Sequence, residues 1–303
     1  MIPLFDLHCD TFLKLYKNNY NFENSPLHIS LNKASCFSPY AQVCAIWSDC
    51  RLNNDDAYRQ YKEVLKFIRA QNISLCKTCD DFKSKSFILS VEDVRILNND
   101  IQRLYELYND NVHVITLNWS GVTCIGGGWD TNVGLTSFGK DVVLRCIEMG
   151  IIIDLSHSSL QVQNEVISIM EGYCLSPIFS HSNAYSVCNH NRNIYDDIFR
   201  RIVKQNGVVG ISLCNNHLAS NGIANASTIL KHIEHFLSLG GENSICIGCD
   251  FDGITSLPIG FTSISSLSML YNLIENNFSS KIATKIFFDN AFNYFTKNFN
   301  ERR

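Results

Sequence analysis

Ile151-Ile152-Ile153-Asp154-Leu155-Ser156-His157 and Pro177-Ile178-Phe179-Ser180-His181 decide how this chain folds. Each is a short run of β-forming residues that closes on a histidine, and helical spacing from Leu160 to Glu171 lies between them. Continuous apolar runs of strand length suit strands buried on both faces. Strand, helix and strand make a βαβ unit. In a closed (β/α)8 barrel every strand aims its C-terminal end at one face, where active sites form. Two histidines ending successive strands would then stand over a single mouth.

Working outward, six further strand patterns repeat the arrangement. Ile2 to His8 runs into Asp6-Leu7-His8-Cys9-Asp10-Thr11. Residues i and i+2 of an extended segment face the same way, so His8 and Asp10 can address one ion together. Tyr40 to Trp47 is the second strand and Phe87 to Glu92 the third, ending in a carboxylate. Asp93 is placed to start the next helical turn, which leaves Glu92 for the mouth. Val112 to Trp119 is the fourth strand; His113 lies at its start, the wrong end for the site, and reads as structural. Val208 to Cys214 follows as the seventh and Ser244 to Cys249 as the eighth, which closes on Asp250-Phe251-Asp252-Gly253.

Between the strands, helical spacing covers Asp55 to Ala70, Ile101 to Tyr108, Phe138 to Met149, Asp196 to Gln205 and Ala226 to Leu239. Gly150 and Gly207 stop two of these helices. Residues 18 to 38 are rich in Asn and Ser and read as a loop. Gly126-Gly127-Gly128 and Gly134 lack a phosphate-loop pattern and suggest a mobile loop over the mouth. His232 and His235 stand i, i+3 on a helix expected in the outer ring, away from any site. The alternation of strands and helices over residues 1–303 fits one α/β domain of TIM-barrel type. An open doubly wound sheet is the alternative; it would bind at one switch point rather than collect charged groups from five strand ends.

Composition narrows the functional classes. The chain has 303 residues, 46% of them hydrophobic, and a net charge of −4 with scattered cations, so nothing marks a nucleic-acid or anionic-membrane surface. No apolar run reaches the ~20 residues of a membrane span. The chain enters structure at once, with no export-signal pattern, and its 13 cysteines are spread singly. A cytoplasmic protein with reduced thiols is the expectation. The Cys76/Cys79 and Cys246/Cys249 pairs lack two further ligands at fitting spacing for structural zinc.

The strand ends thus carry His8, Asp10, Glu92, His157, His181 and Asp250 at one expected face. Imidazole and carboxylate suit zinc and similar divalent ions. Six such groups exceed the needs of one ion, and a central glutamate could bridge two. Paired ions about 3.5–4 Å apart activate water and polarise carbonyls.

With these residues in place the chain resembles the membrane (renal-type) dipeptidases, metallopeptidases among the amidohydrolase-like barrels. The matching motifs run in order: Asp6-Leu7-His8-Cys9-Asp10-Thr11, Gly134-Leu135-Thr136-Ser137-Phe138-Gly139, Ile153-Asp154-Leu155-Ser156-His157, Phe179-Ser180-His181-Ser182-Asn183-Ala184, Arg192-Asn193 and Gly248-Cys249-Asp250-Phe251-Asp252-Gly253. The resemblance implies two zinc ions, one held by His8 and Asp10, the other by His157 and His181, bridged by Glu92 and a water. It makes Asp250 the general base and then acid, and gives the substrate's free carboxylate to Arg192, whose guanidinium fork suits it.

Two positions depart from the better-known members. Trp119 stands where those have a histidine that polarises the scissile carbonyl, with Asn118 beside it as a partial substitute. His217 stands where a tyrosine is expected near the substrate. Both changes fall on the substrate side, while the ligand set is complete. The resemblance therefore implies a zinc dipeptidase acting on free L,L- and L,D-dipeptides, in the cytoplasmic bacterial form. A binuclear metal amidohydrolase for another small amide, and a barrel that binds without catalysis, are the competing readings. Family members are often dimers, which makes a homodimer the assembly to test.

Overall fold

The computed structural model describes residues 1–71 and 73–299. Among these, β1 (Ile2–Cys9), β2 (Phe37–Trp47), β3 (Lys85–Glu92), β4 (Val114–Thr116), β5 (Ile152–Asp154), β6 (Val209–Ile211) and β7 (Ile245–Ile247) form one parallel, curled sheet. Its order is β5-β4-β3-β2-β1-β7-β6. The Pro177–His181 segment, expected as a sixth strand, makes only single bridges, Asp154 to Ile178 on one side and Phe179 to Val209 on the other. Proline lacks the N–H that would extend the ladder, yet the segment lies between the two ends of the sheet.

Side chains alternate across the strands as a period of two requires. Phe5, Leu7, Ala41, Val43, Ile88, Val114, Ile152, Ile178, Val208 and Cys246 point into one inner cluster. Leu4, Cys44, Leu89, Ile115 and Ile153 point the other way, into the layer shared with the helices. Phe82, Phe288, Phe295 and Phe299 cap the inner cluster, with Phe5 and Phe295 ring centroids 4.9 Å apart. His113 stacks on Phe299 at 3.9 Å in that same region, in keeping with a structural role.

The helices are α1 (Thr11–Asn18), α2 (Asn54–Ala70), α3 (Ile101–Asn109), α4 (Ser137–Met149), α5 (Leu160–Glu171), α6 (Asp196–Lys204), α7 (Asn215–Leu218) and α8 (Ala226–Ser238), followed by helices from Leu267 to Asn298. Their ends follow local chemistry. The Thr136 and Ser159 hydroxyls accept the Gly139 and Val162 N–H groups at the starts of α4 and α5. Gly150 ends α4 with φ 67°, a left-handed turn that glycine adopts freely. No helix is long and apolar enough to cross a membrane among the described residues.

Two loops differ from their expected character. Residues 18–36 have no regular strand, but Phe22 and Ile29 are fully buried, the Asp252 carboxylate accepts the His28 N–H at 2.7 Å, and His28 Nδ1 accepts the Asp252 N–H at 3.0 Å. The glycine-rich stretch, expected as a mobile loop, is packed instead. Gly126 bridges to Leu135, Gly127 to Val122 and Gly128 to Ser158. A methyl group on any of the three would collide with neighbouring backbone, so these glycines serve close approach rather than freedom. His232 is buried in α8, accepting the Ala184 N–H at 3.1 Å, and His235 pairs with Asp196 at 2.9 Å. All 13 cysteines are free thiols.

Candidate active site

Strand register lines up the residues that matter. Trp47 of β2 pairs with Glu92 of β3, Glu92 with Thr116 of β4, and Thr116 with Asp154 of β5. Asp93 caps the turn after β3 by accepting the Arg95 N–H at 3.1 Å, which leaves Glu92 directed over the strand ends. Its two oxygens face different partners. Oε2 lies 3.7 Å from His8 Nε2, whereas Oε1 lies 3.0 Å from His157 Nε2 and 3.6 Å from His181 Nε2. His8 Nε2 is also 3.6 Å from Asp10 and 3.9 Å from Asp250. The two Nε2 atoms of His157 and His181 stand 2.8 Å apart. His157 and Asp250 hold φ values of 71° and 61°, left-handed backbone that costs a non-glycine residue free energy and re-aims its side chain.

Buried carboxylates anchor this row from beneath. Asp154 accepts the Thr116 and Ser180 hydroxyls at 2.6 Å each and the Ser156 and Ser180 N–H groups at 2.9 Å each. The Ser180 hydroxyl is also 2.7 Å from His181 Nδ1, so Asp154 orients that imidazole through one serine. Asp6 does similar work at the seam of β1 and β7, accepting the His8 and Cys249 N–H groups at 3.2 and 3.0 Å. Gly253 has a steric reason to be glycine: a Cβ there would collide with carboxylate oxygens of both Asp10 and Asp250.

The charges explain what such a cluster wants. Burial would depress the His8 imidazolium, but Glu92, Asp10 and Asp250 outweigh it and hold His8 well above the usual histidine range. Burial, with Asp10 beside it, raises the Glu92 carboxyl well above its ordinary range, and burial lifts Asp250 to about 7. His157 and His181 are pushed well below theirs, by burial first. The carboxylates around His8 attract positive charge, and His157 and His181 offer neutral imidazoles. A divalent cation suits both.

The donor atoms pass a direct test of fit. His8 Nε2 and Asp10 Oδ1 are buried with no hydrogen-bond partner among the described residues. Three sets of donors each lie within 4.8 Å of one another: His8, Asp10 and Glu92; Glu92, His157 and His181; and His8, His181 and Asp250. Ligands about 2.0–2.1 Å from a zinc ion sit roughly 3–3.5 Å apart, close to the spacing of Glu92 Oε1, His157 and His181.

A cavity of about 670 Å³ opens above the cluster and contains Asp10, Glu92, His157 and Asp250 in its wall. Arg192, Trp119 and His217 line it as well. The Arg192 guanidinium donates to the His181 carbonyl at 3.2 Å and the Ser182 hydroxyl at 3.4 Å, and its Nε has no partner among the described residues. The Trp119 ring lies 5.8 Å from His157 and 5.2 Å from Trp47. Burial and Arg192 lower His217 to about 2, so it is neutral.

Asn118 does not join them. Its amide donates to the Gly126 carbonyl at 3.2 Å and to Thr123 at 3.3 Å, and so holds the glycine-rich turn closed; it is no part of the cavity wall. Sequence reasoning missed Trp129 and His190, which stack at 5.7 Å on the wall. It also missed Leu13, Lys14 and Lys17, although their spacing from Asp10 on α1 places them on one helical stripe.

A deeply buried set of imidazoles and carboxylates at the C-terminal ends of parallel strands defines an α/β protein with a candidate metal centre beneath a small-molecule cavity. The chain belongs to the membrane dipeptidase family, described as "Membrane dipeptidase (Peptidase family M19)", whose sequence profile matches residues 1–301. It is 29% identical over 303 residues to Dipeptidase 3 of Macaca fascicularis, an alignment covering 92% of this chain and 62% of that protein. For Dipeptidase 3 of Mus musculus the identity is also 29%, covering 76% of this chain and 49% of the relative. The chain thus spans less than two thirds of the length of these curated relatives. The fold is shared with the crystal structure of dipeptidase AC (TM-score 0.90, 22% identity, 98% of each chain). It is shared too with a metallopeptidase from Rhodobacter sphaeroides bound to a phosphinate mimic of L-Ala-D-Ala (TM-score 0.88, 22% identity, 98% and 99% covered).

Proposed function

We propose that the chain is a binuclear zinc dipeptidase that hydrolyses the peptide bond of free L,L-dipeptides, with L,D-dipeptides as the further substrates to test. The observation that carries this reading is Glu92: one carboxylate oxygen faces His8, and the other faces His157 and His181. His8 and Asp10 would hold one ion, His157 and His181 the other, with Glu92 between them. Bound there, the ions would polarise the scissile carbonyl and make water a nucleophile at neutral pH.

The protein's own groups then divide the remaining work. Arg192 takes the C-terminal carboxylate through its guanidinium edge. Asp250, on the cavity wall 3.9 Å from His8, accepts a proton from the attacking water and returns it to the leaving amine. Trp119 and His217 shape the substrate wall and exclude water from it. Asp154 and Ser180 keep His181 in one tautomer and orientation.

We also read residues 1–303 as one domain whose sheet closes into a (β/α)8 barrel. The bridges of Ile178 and Phe179 to β5 and β6, and the place of Ile178 in the inner cluster, support closure. Thirteen free thiols favour work in a reducing compartment such as the cytoplasm. A homodimer is the assembly we would test for.

The deciding experiment is metal analysis with a hydrolysis panel of L,L- and L,D-dipeptides, their N-blocked and C-amidated forms, and a tripeptide. Two ions per chain and cleavage of the free dipeptides alone are expected. Two bound ions with every dipeptide intact would overturn the dipeptidase reading and move the search to other small amides, where the changes at Trp119 and His217 point.

A further inference from the structure

The cavity has a second cationic wall, opposite Arg192. Asp10, Leu13, Lys14 and Lys17 all line the cavity and follow the i, i+3, i+4, i+7 spacing of one helical stripe. Lys14 stands one turn and Lys17 two turns beyond Asp10, roughly 6 and 10 Å along the axis of α1. Arg51 completes the wall from the turn after β2.

The wall carries surplus positive charge. Asp49 engages Arg51 through two contacts, at 2.7 and 2.5 Å, and lies 3.4 Å from Lys17. Lys14 has no carboxylate partner among the described residues. On the dipeptidase reading Asp10 is given over to a metal ion, so Lys14, Lys17 and Arg51 face the two carboxylates of Asp49 and Asp252. Asp252, deeper in the same wall, is already taken by the Thr11 hydroxyl at 2.6 Å and the His28 N–H at 2.7 Å. The Trp47 indole N–H of this wall also has no acceptor among the described residues.

Topology sets this wall across the mouth from Arg192. From β2, strands β3, β4 and β5 intervene on one side, and β1, β7 and β6 on the other, before the Pro177–His181 segment that precedes Arg192. A dipeptide held at its C-terminal carboxylate by Arg192 would extend its other residue toward α1.

Resting on the dipeptidase reading, we infer that Lys14 and Lys17, with Arg51 behind them, form a subsite for an anionic side chain on the N-terminal residue of the substrate. The preferred substrates are dipeptides that begin with glutamate or aspartate. A solvent-exposed ion pair contributes up to about fivefold in affinity, so two lysines together give roughly a tenfold preference for Glu-Ala over its neutral isostere Gln-Ala in kcat/KM. Added salt shrinks this ratio, since exposed charges are screened. Ala-Glu has no such advantage over Ala-Gln.

The test compares Glu-Ala, Gln-Ala, Lys-Ala, Ala-Ala, Ala-Glu and Ala-Gln on the metal-loaded wild type and on the Lys14→Gln/Lys17→Gln and Lys14→Glu/Lys17→Glu variants. Binding of phosphinate analogues of Glu-Ala and Gln-Ala is measured alongside as a readout independent of turnover. The Glu-Ala to Gln-Ala ratio should fall to about one in the glutamine variant and invert in favour of Lys-Ala in the glutamate variant. Cleavage of Ala-Ala with a wild-type ratio at or below one, in turnover and in phosphinate binding, would overturn this inference and leave the dipeptidase reading standing. An advantage at Ala-Glu instead would overturn the assigned orientation. If no dipeptide is cleaved and no phosphinate binds, the dipeptidase reading fails and takes this subsite with it.

Discussion

The two ends of the strands are built from opposite materials. At the C-terminal ends, His8, Glu92, His157, His181 and Asp250 crowd together with more lone pairs than protons to share. Toward the other end Phe5, Phe82, Phe295 and Phe299 close the sheet interior with ring contacts of 4.9–6.2 Å. Histidine occurs at both: His8 sits among three carboxylates, whereas His113 stacks on Phe299. The difference teaches that residue type alone does not identify a site. The end of the strand on which a residue falls decides whether it serves chemistry or packing, and the two functions should separate under mutation.

The largest effect should come at the charged end. Asp250→Asn is expected to lower turnover by about 10²–10⁴-fold, the usual weight of a positioned acid–base group. Its metal content and melting temperature should stay near wild type. Loss of both metals would merge Asp250 with the ligands and break the assigned role.

At the aromatic end, Phe295→Ala should cost about 3–5 kcal/mol of stability by opening a cavity against Phe5 and Phe82. Denaturant titration measures it, and kcat/KM of the folded variant should hold. A variant that keeps its stability but loses turnover would erase the distinction between the two ends.

A histidine outside both ends sharpens the comparison through pH. His232 titrates at about 4 in the fold, lowered by burial from 6.5. Between those values the unfolded chain binds more protons, so stability falls as the pH drops from 6.5 toward 4 and is unaffected by this group above 6.5. Roughly 3 kcal/mol is at stake. His232→Asn should flatten the stability–pH slope in that window by up to one proton's worth, about 1.4 kcal/mol per pH unit. An unchanged slope would show that His232 is free to protonate in the fold.

Arg192→Ala should give the smallest of these effects, about 1.5–3 kcal/mol in binding, the value of a charged hydrogen bond. It should appear as a raised KM for free dipeptides, while the binding of C-amidated dipeptides, measured as inhibition of free-dipeptide cleavage, stays nearly unchanged. Equal losses on both would detach Arg192 from the substrate carboxylate.

Much of this was legible in the sequence because strand ends leave a local signature. An apolar run that stops at a His, Asp or Glu announces its side and its end together, and His8, Glu92 and His157 were found that way. The Pro177–His181 segment was harder, since its run of β-formers says nothing about how few ladder bonds a proline-led segment can make. Asn118 was misplaced because adjacency to Trp119 in sequence does not fix where an amide points; the carbonyl of Gly126 claims it. The glycine-rich loop misled for a related reason. Glycine permits both freedom and close approach, and only the neighbours at Gly126 to Gly128 distinguish them. Lys14 and Lys17 share a helical stripe with Asp10, but helical phase alone does not say which face meets a cavity.

Gly253 extends the lesson to a residue with no side chain at all. It keeps Asp10 and Asp250 apart from any third group, because a methyl at that point would occupy the space of both carboxylates. In a saturation scan of the chain scored by catalysis, position 253 should therefore tolerate substitution as poorly as a catalytic acid does, although it contributes no functional group. Such a position acts as a boundary on the site: the arrangement of Asp10 and Asp250 exists only together with the empty volume beside it.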